Sequence, residues 1–269
     1  MFWQKISSAI KEFFGFGGYT REPEGYLSWQ HLTFVTLLMV LMVTLAVVLG
    51  RAYRKRDDAG RNKVLIFAAI LIDSLELFKI VMLCIITDNP LNWLHDLPLF
   101  LCSIQLIAIP LAAFTAGKLK NASLDFVFIF GVLGAVCGTY FAGQNYNAYP
   151  VLSFDNVVSG LTHCISGFAS LYIAISGMVS MKKKNIRFTF AILSGFCATA
   201  YVVNHVIDYN YMFLMRGDGT PYDIFFNLVN GSPVLYPLIV WGLFVLYIGV
   251  FYSVYYLFAK KRKKDPHSA

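Results

Sequence analysis

Long apolar runs, broken by short polar stretches, set the pattern of this chain. Runs fall at about 32–49, 64–86, 97–116, 124–141, 158–180, 188–208 and 234–258. Each is about as long as the apolar core of a bilayer requires of a helix. The runs are continuous rather than alternating, so they predict helices and not the strands of a membrane barrel. Backbone polar groups in lipid must be satisfied within their own segment, and an all-α bundle follows. Residues 2–14 differ from these runs. Trp3, Ile6, Ile10, Phe13 and Phe14 recur at helical spacing, with Lys5 and Lys11 elsewhere on the wheel. That pattern predicts a short amphipathic helix lying in a membrane interface.

Composition agrees, and charge placement adds orientation. Of the 269 residues 58% are hydrophobic and 14% charged, against about 25% charged in soluble domains. Segments 51–63, 117–121, 181–187 and 259–269 hold 17 of the 22 Lys and Arg, whereas the alternate loops hold only Arg216. Basic loops stay in the cytoplasm. The expected architecture is therefore an all-α membrane protein of about seven transmembrane helices, N-terminus outside and C-terminus cytoplasmic. Its parts are an interfacial segment (1–25), a seven-helix domain (26–259) and a basic cytoplasmic tail (260–269). The same placement assigns the net charge of +7 to loops facing anionic lipid and not to nucleic acid. The expected location is the cell membrane, with membrane lipids as partners.

Candidate chemistry lies inside the spans. Asp73, Glu76 and Lys79 cover an arc of about 120° on one side of the second predicted helix. Charge at that depth faces a partner or a wet cavity, so the three predict an intramembrane polar network. The third run opens with Asp96 and carries Cys102 and Gln105. The fifth holds His163, with Gly160 and Gly167 on its face leaving room beside the imidazole. The sixth ends in Tyr201, Asn204, His205 and Asp208. At 1.5 Å per residue, Cys102, His163 and Asn204 or His205 lie roughly 5–8 Å from the outer boundary.

A thiol and an imidazole at one depth suit acyl transfer, since the thiolate attacks and a neighbouring base must take its proton. Asp208 or Glu76 would orient the imidazole. Asn204, Asn210 or Tyr211 would meet the oxyanion. Cys164 is a rival nucleophile about 100° around its helix from His163. No H-x3-H or H-E-x-x-H pair occurs, and no metal or other cofactor is expected.

Around these residues the chain resembles the bacterial YwaF-type integral membrane proteins, related to eukaryotic transmembrane protein 164. Leu97-Pro-Leu-Phe-Leu-Cys102-Ser103 is similar to that family's Leu-Pro-Leu-x-Leu-Cys opening of a helix. Thr162-His163 matches its midchain histidine. Asn204, followed by Asn210-Tyr-Met-Phe-Leu214, is similar to its Asn…Asn-Tyr-Met-Phe-Leu signature, and Pro221 and Gly231-Ser-Pro233…Tyr236 to its closing segment. Phe100 and Cys164 depart from the pattern, which has a polar residue and glycine there. The resemblance implies a seven-helix bundle and cysteine-dependent acyl transfer between phospholipids, with Cys102 carrying the acyl group and His163 as its partner. A small-solute or proton-coupled transporter using Asp73 and Glu76, and a membrane protein that binds a ligand without chemistry, are the alternatives.

Overall fold

A computed structural model describes residues 2–179 and 181–264, with side chains over 7–179 and 181–259. The described elements are helical: α1 (Phe2–Phe14), α2 (Trp29–Tyr53), α3 (Asp58–Ile86), α4 (Gln105–Phe114), α5 (Gly117–Tyr140), α6 (Gly143–Ala148), α7 (Phe154–Ser176), α8 (Ile186–Ile207), α9 (Asp223–Leu228) and α10 (Leu235–Lys264). Helices α2, α5, α7, α8 and α10 are long and apolar enough to cross a membrane. Helix α3 is 29 residues long but carries Asp73, Glu76 and Lys79 mid-helix. The run at 97–116, expected as one helix, is helical only over Gln105–Phe114. Ten residues span about 15 Å, half a bilayer core.

The reason for the shortened helix is local. Pro98 has no N–H and keeps Leu97 out of the helical region. The Leu99 N–H closes back onto the Leu97 carbonyl at 2.7 Å. The first bond of helical span joins Ile104 N–H to Phe100 O at 3.1 Å. Residues 100–104 therefore form the turn that winds into α4. Pro110 then sits inside α4, a placement that membrane helices tolerate when neighbours resatisfy the freed carbonyl.

The chain divides into two compact units, residues 1–180 and 181–269. In the first, α7 is the central helix and small residues set how closely its neighbours approach. A side chain at Gly131 of α5 would come within 2.7 Å of the Ser166 carbonyl. Ser170 instead donates across to the Phe128 carbonyl at 2.9 Å. This is membrane-type packing, in which close backbones and interhelical hydrogen bonds replace a hydrophobic driving force. His31, at the start of α2, is fully buried and bonds the Thr139 carbonyl through Nε2 at 3.1 Å.

Helix α1 forms as the amphipathic pattern predicts. Its last residues pack on the protein: Phe13 and Phe14 meet Phe154, at the start of α7, with ring centroids 6.0 and 4.9 Å apart. Glu12 receives the Thr20 hydroxyl and the Thr20 and Arg21 N–H groups. Those bonds hold its carboxyl below the usual range. The expectation for Trp3, Lys5 and Ile6 falls on side chains outside those described, as does that for the basic tail, 260–269.

In the second unit α8 ends at Asp208, whose left-handed backbone (φ 52°) breaks the helix. The loop beyond it contains three more non-glycine residues at positive φ, Met212 and Phe213, both at 56°, and Asp218 at 50°. Such conformations persist only where surrounding bonds determine them, and two asparagines do so. The Asn204 side chain accepts from Tyr211 N–H at 2.7 Å and donates to Tyr211 O at 3.0 Å. Asn210 accepts from Met215 N–H and donates to the Arg216 carbonyl and the Asp218 carboxylate.

Candidate functional site

Cys102 lies in the turn before α4, and that turn rests on α5. A Cβ at Gly134 would stand 3.2 Å from the Cys102 Cβ and 3.4 Å from its Cα. One turn further along α5 lies Gly138. A Cβ there would be 1.9 Å from His163 Nε2 and 2.0 Å from its Cδ2. The two glycines thus form a shallow slot on α5 in which thiol and imidazole meet. The Cys102 thiol and the His163 imidazole thereby lie close enough to interact side chain to side chain. As whole residues both are of intermediate burial.

The backbone of α7 fixes the tautomer of the imidazole. His163 Nδ1 lies 2.7 Å from the carbonyl of Ser159, one turn earlier. A carbonyl only accepts, so Nδ1 carries the proton. Nε2 is then the nitrogen with a lone pair for the thiol, the tautomer a base requires. This corrects two sequence expectations. The group on His163 Nδ1 is the Ser159 carbonyl rather than Glu76, which pairs with Lys79. The glycine making room for the ring is Gly138: Gly160 instead faces Leu38 and Phe34 of α2, and Gly167 faces Met42 and Ala135.

The sulfur has further polar neighbours in its own turn, the Ser103 side chain and the Cys102 N–H. Among the described residues, no backbone carbonyl accepts from the N–H groups of Leu101, Cys102 or Ser103. Such donors without a carbonyl partner open a helix and carry its partial positive charge. Gln105 follows one turn later. It is fully buried, and neither of its side-chain polar atoms has a partner. Leaving such an amide unpaired costs roughly 1–3 kcal/mol.

The charged residues of α3 hold the approach to this turn. Lys79 Nζ lies 2.8 Å from Glu76 and 3.1 Å from Asp96. Glu76 and Lys79 are buried. Asp155, near the start of α7, is also within electrostatic range of Lys79. Lys79 therefore ties the segment before Leu97-Pro98 to α3. Asp73 lies one turn earlier, partly buried, with one carboxylate oxygen buried and unpartnered. The sequence had these three groups as one network but not the Asp96 connection, because that pairing joins residues far apart in the chain.

Cys164, the rival thiol, donates to the Leu38 carbonyl at 3.3 Å and is buried among Leu38, Met42 and Phe168. It serves the α2–α7 packing. The polar residues closing α8 belong to the second unit, where local structure engages them. Asn204, Asn210 and Tyr211 build the loop described above. His205 Nδ1 bonds the Tyr201 carbonyl at 2.8 Å. Asp208 caps the helix. Among the described residues, no group of three or more His, Cys, Asp or Glu is arranged to hold a metal ion. Gly134 and Gly138 were missed from sequence, although their spacing is that of a close helix contact.

The model of the TMEM164 family matches residues 26–255, and the chain belongs to that family. No curated protein and no solved structure matches it.

Proposed function

We propose that this member of the TMEM164 family, a multi-pass membrane protein, moves acyl groups between membrane phospholipids through a thioester on Cys102. The observation that carries the reading is the seating of Cys102 and His163 side by side on Gly134 and Gly138, with Nδ1 of His163 committed to the Ser159 carbonyl. His163 Nε2 takes the thiol proton as sulfur attacks the ester carbonyl of the donor lipid. The carbonyl π electrons move to oxygen, and the N–H groups of the 101–103 turn face the charge that develops. The oxyanion then collapses and the C–O bond breaks. The departing lysophospholipid oxygen recovers the proton from His163, which leaves a Cys102 thioester. An acceptor hydroxyl attacks that thioester, with His163 again as base, and regenerates the thiol. The sequence assigned oxyanion support to Asn204 or Asn210. Their engagement in the loop of the second unit favours the backbone donors beside Cys102.

The membrane setting is part of the proposal. The five long apolar helices, the charged helix α3 and the broken segment containing α4 together make seven passes. With the basic loops in the cytoplasm, the N-terminus lies outside the cell membrane and Cys102 near the outer leaflet. The test is labelling by an acyl-mimetic thiol probe, followed by mapping of the modified peptide. Label is expected on Cys102, removable by hydroxylamine as a thioester is. It should be lost in Cys102→Ser, strongly reduced in His163→Ala and retained in Cys164→Ala. Full labelling of Cys102→Ser would overturn the proposal.

A further inference from the structure

Gln105 presents an unusual combination of position and burial. It lies three residues after Cys102, and its N–H bonds the Cys102 carbonyl at 3.3 Å. Residues three apart share a face of a helical turn. Helical side chains also lean toward the N-terminus, so a long side chain covers the turn before its own Cα. By that rule the Gln105 side chain covers the turn that carries the thiol. It is fully enclosed, and neither Oε1 nor Nε2 has a partner. Cys102 as a whole residue is of intermediate burial.

Resting on the acyl-transfer reading above, we propose that Gln105 is a catalytic residue whose Nε2–H donates to the oxyanion formed on Cys102, together with the N–H groups of the 101–103 turn. An enclosed amide held without a partner in the resting protein gains one only when charge appears on the acyl oxygen. That difference between ground and transition states is what accelerates a reaction. Gln105 makes no covalent bond and exchanges no proton, so the balance of the transfer is unchanged.

Two reagents that attack the same sulfur separate this role from a structural one. Acylation by p-nitrophenyl butyrate passes through a tetrahedral oxyanion, whereas alkylation by iodoacetamide displaces iodide and forms none. In Gln105→Met, close in shape but without the donor, the acylation rate is expected to fall on the order of 100-fold, the effect of losing one oxyanion donor. Alkylation of Cys102 should change less than about twofold, since no oxyanion is formed. The melting temperature should hold or rise, because an unpaired buried amide has been removed. Gln105→Leu should give the same division between the reagents if the methionine variant folds poorly. Acylation at the unsubstituted rate in either variant overturns the assignment. Acylation and alkylation falling together also overturn it, since a structural role would move both. If the unsubstituted protein is alkylated but never acylated at Cys102, the acyl-transfer reading itself fails.

Discussion

Gly138→Ala places one methyl group where the imidazole lies. The added Cβ would stand 1.9 Å from His163 Nε2 and 2.0 Å from Cδ2. Non-bonded carbon contacts settle near 3.5–4.0 Å, so the ring must retreat by about 1.6 Å or the helices must part. The ring cannot retreat freely, because Nδ1 is tethered to the Ser159 carbonyl at 2.7 Å. Relief therefore breaks either that bond or the contact with the Cys102 thiol. Overpacking of this kind destabilises by about 1–3 kcal/mol, which leaves many membrane proteins folded. A displacement above 1 Å at the base lowers reaction rates by about 100-fold. The assay is the rate of Cys102 acylation per folded molecule, with folding followed by thermal melting in detergent. Gly195→Ala on α8, where the added Cβ meets nothing within 4 Å, is the control and should leave both readouts unchanged. Acylation at the native rate in Gly138→Ala would refute the idea that α5 seats the imidazole.

Three other outcomes are expected. Lys79→Met leaves Glu76 and Asp96 without their shared cation and should destabilise by about 3–5 kcal/mol, as breaking a buried pair does. Adding Glu76→Gln should recover part of that loss in the same melting assay, and no recovery would speak against the pairing. Asn204→Leu removes both bonds that hold Tyr211. Each unmet partner costs about 1–3 kcal/mol, so the variant should melt earlier and protease should cut the 209–216 loop first; an unchanged melting temperature would count against the clamp. The division of Lys and Arg among the loops expects reporters at 185 and after 264 to be cytoplasmic and one at 148 to be external, and reversed labelling would overturn that orientation.

The Asn…Asn-Tyr-Met-Phe-Leu stretch shows how one motif can be read in two ways. From sequence, the asparagines look like oxyanion donors because an amide at the right depth has the right chemistry. In the folded chain they hold a loop whose Met212 and Phe213 adopt positive φ, and their polar atoms serve that loop. Composition cannot tell these uses apart, because both need a buried amide and differ only in which group it meets.

The sequence by itself determined the helical class, the amphipathic α1 and the membrane character, because each depends on local periodicity or on the transfer of whole segments into lipid. It also identified Cys102 and His163 by residue type and depth. Tertiary structure decided which groups those residues meet. The turn at 100–104 follows from Pro98 and from closure onto Leu97, although the hydropathy of 97–116 reads as one unbroken helix. The His163 tautomer depends on a carbonyl, a group that every residue carries and no sequence marks as special. Gly134 and Gly138 matter because Cys102 and His163, distant in the chain, close on one face of α5. Hydropathy records how each segment meets its solvent. Contacts among remote segments depend on which face turns toward which neighbour, and packing settles that only when the helices assemble.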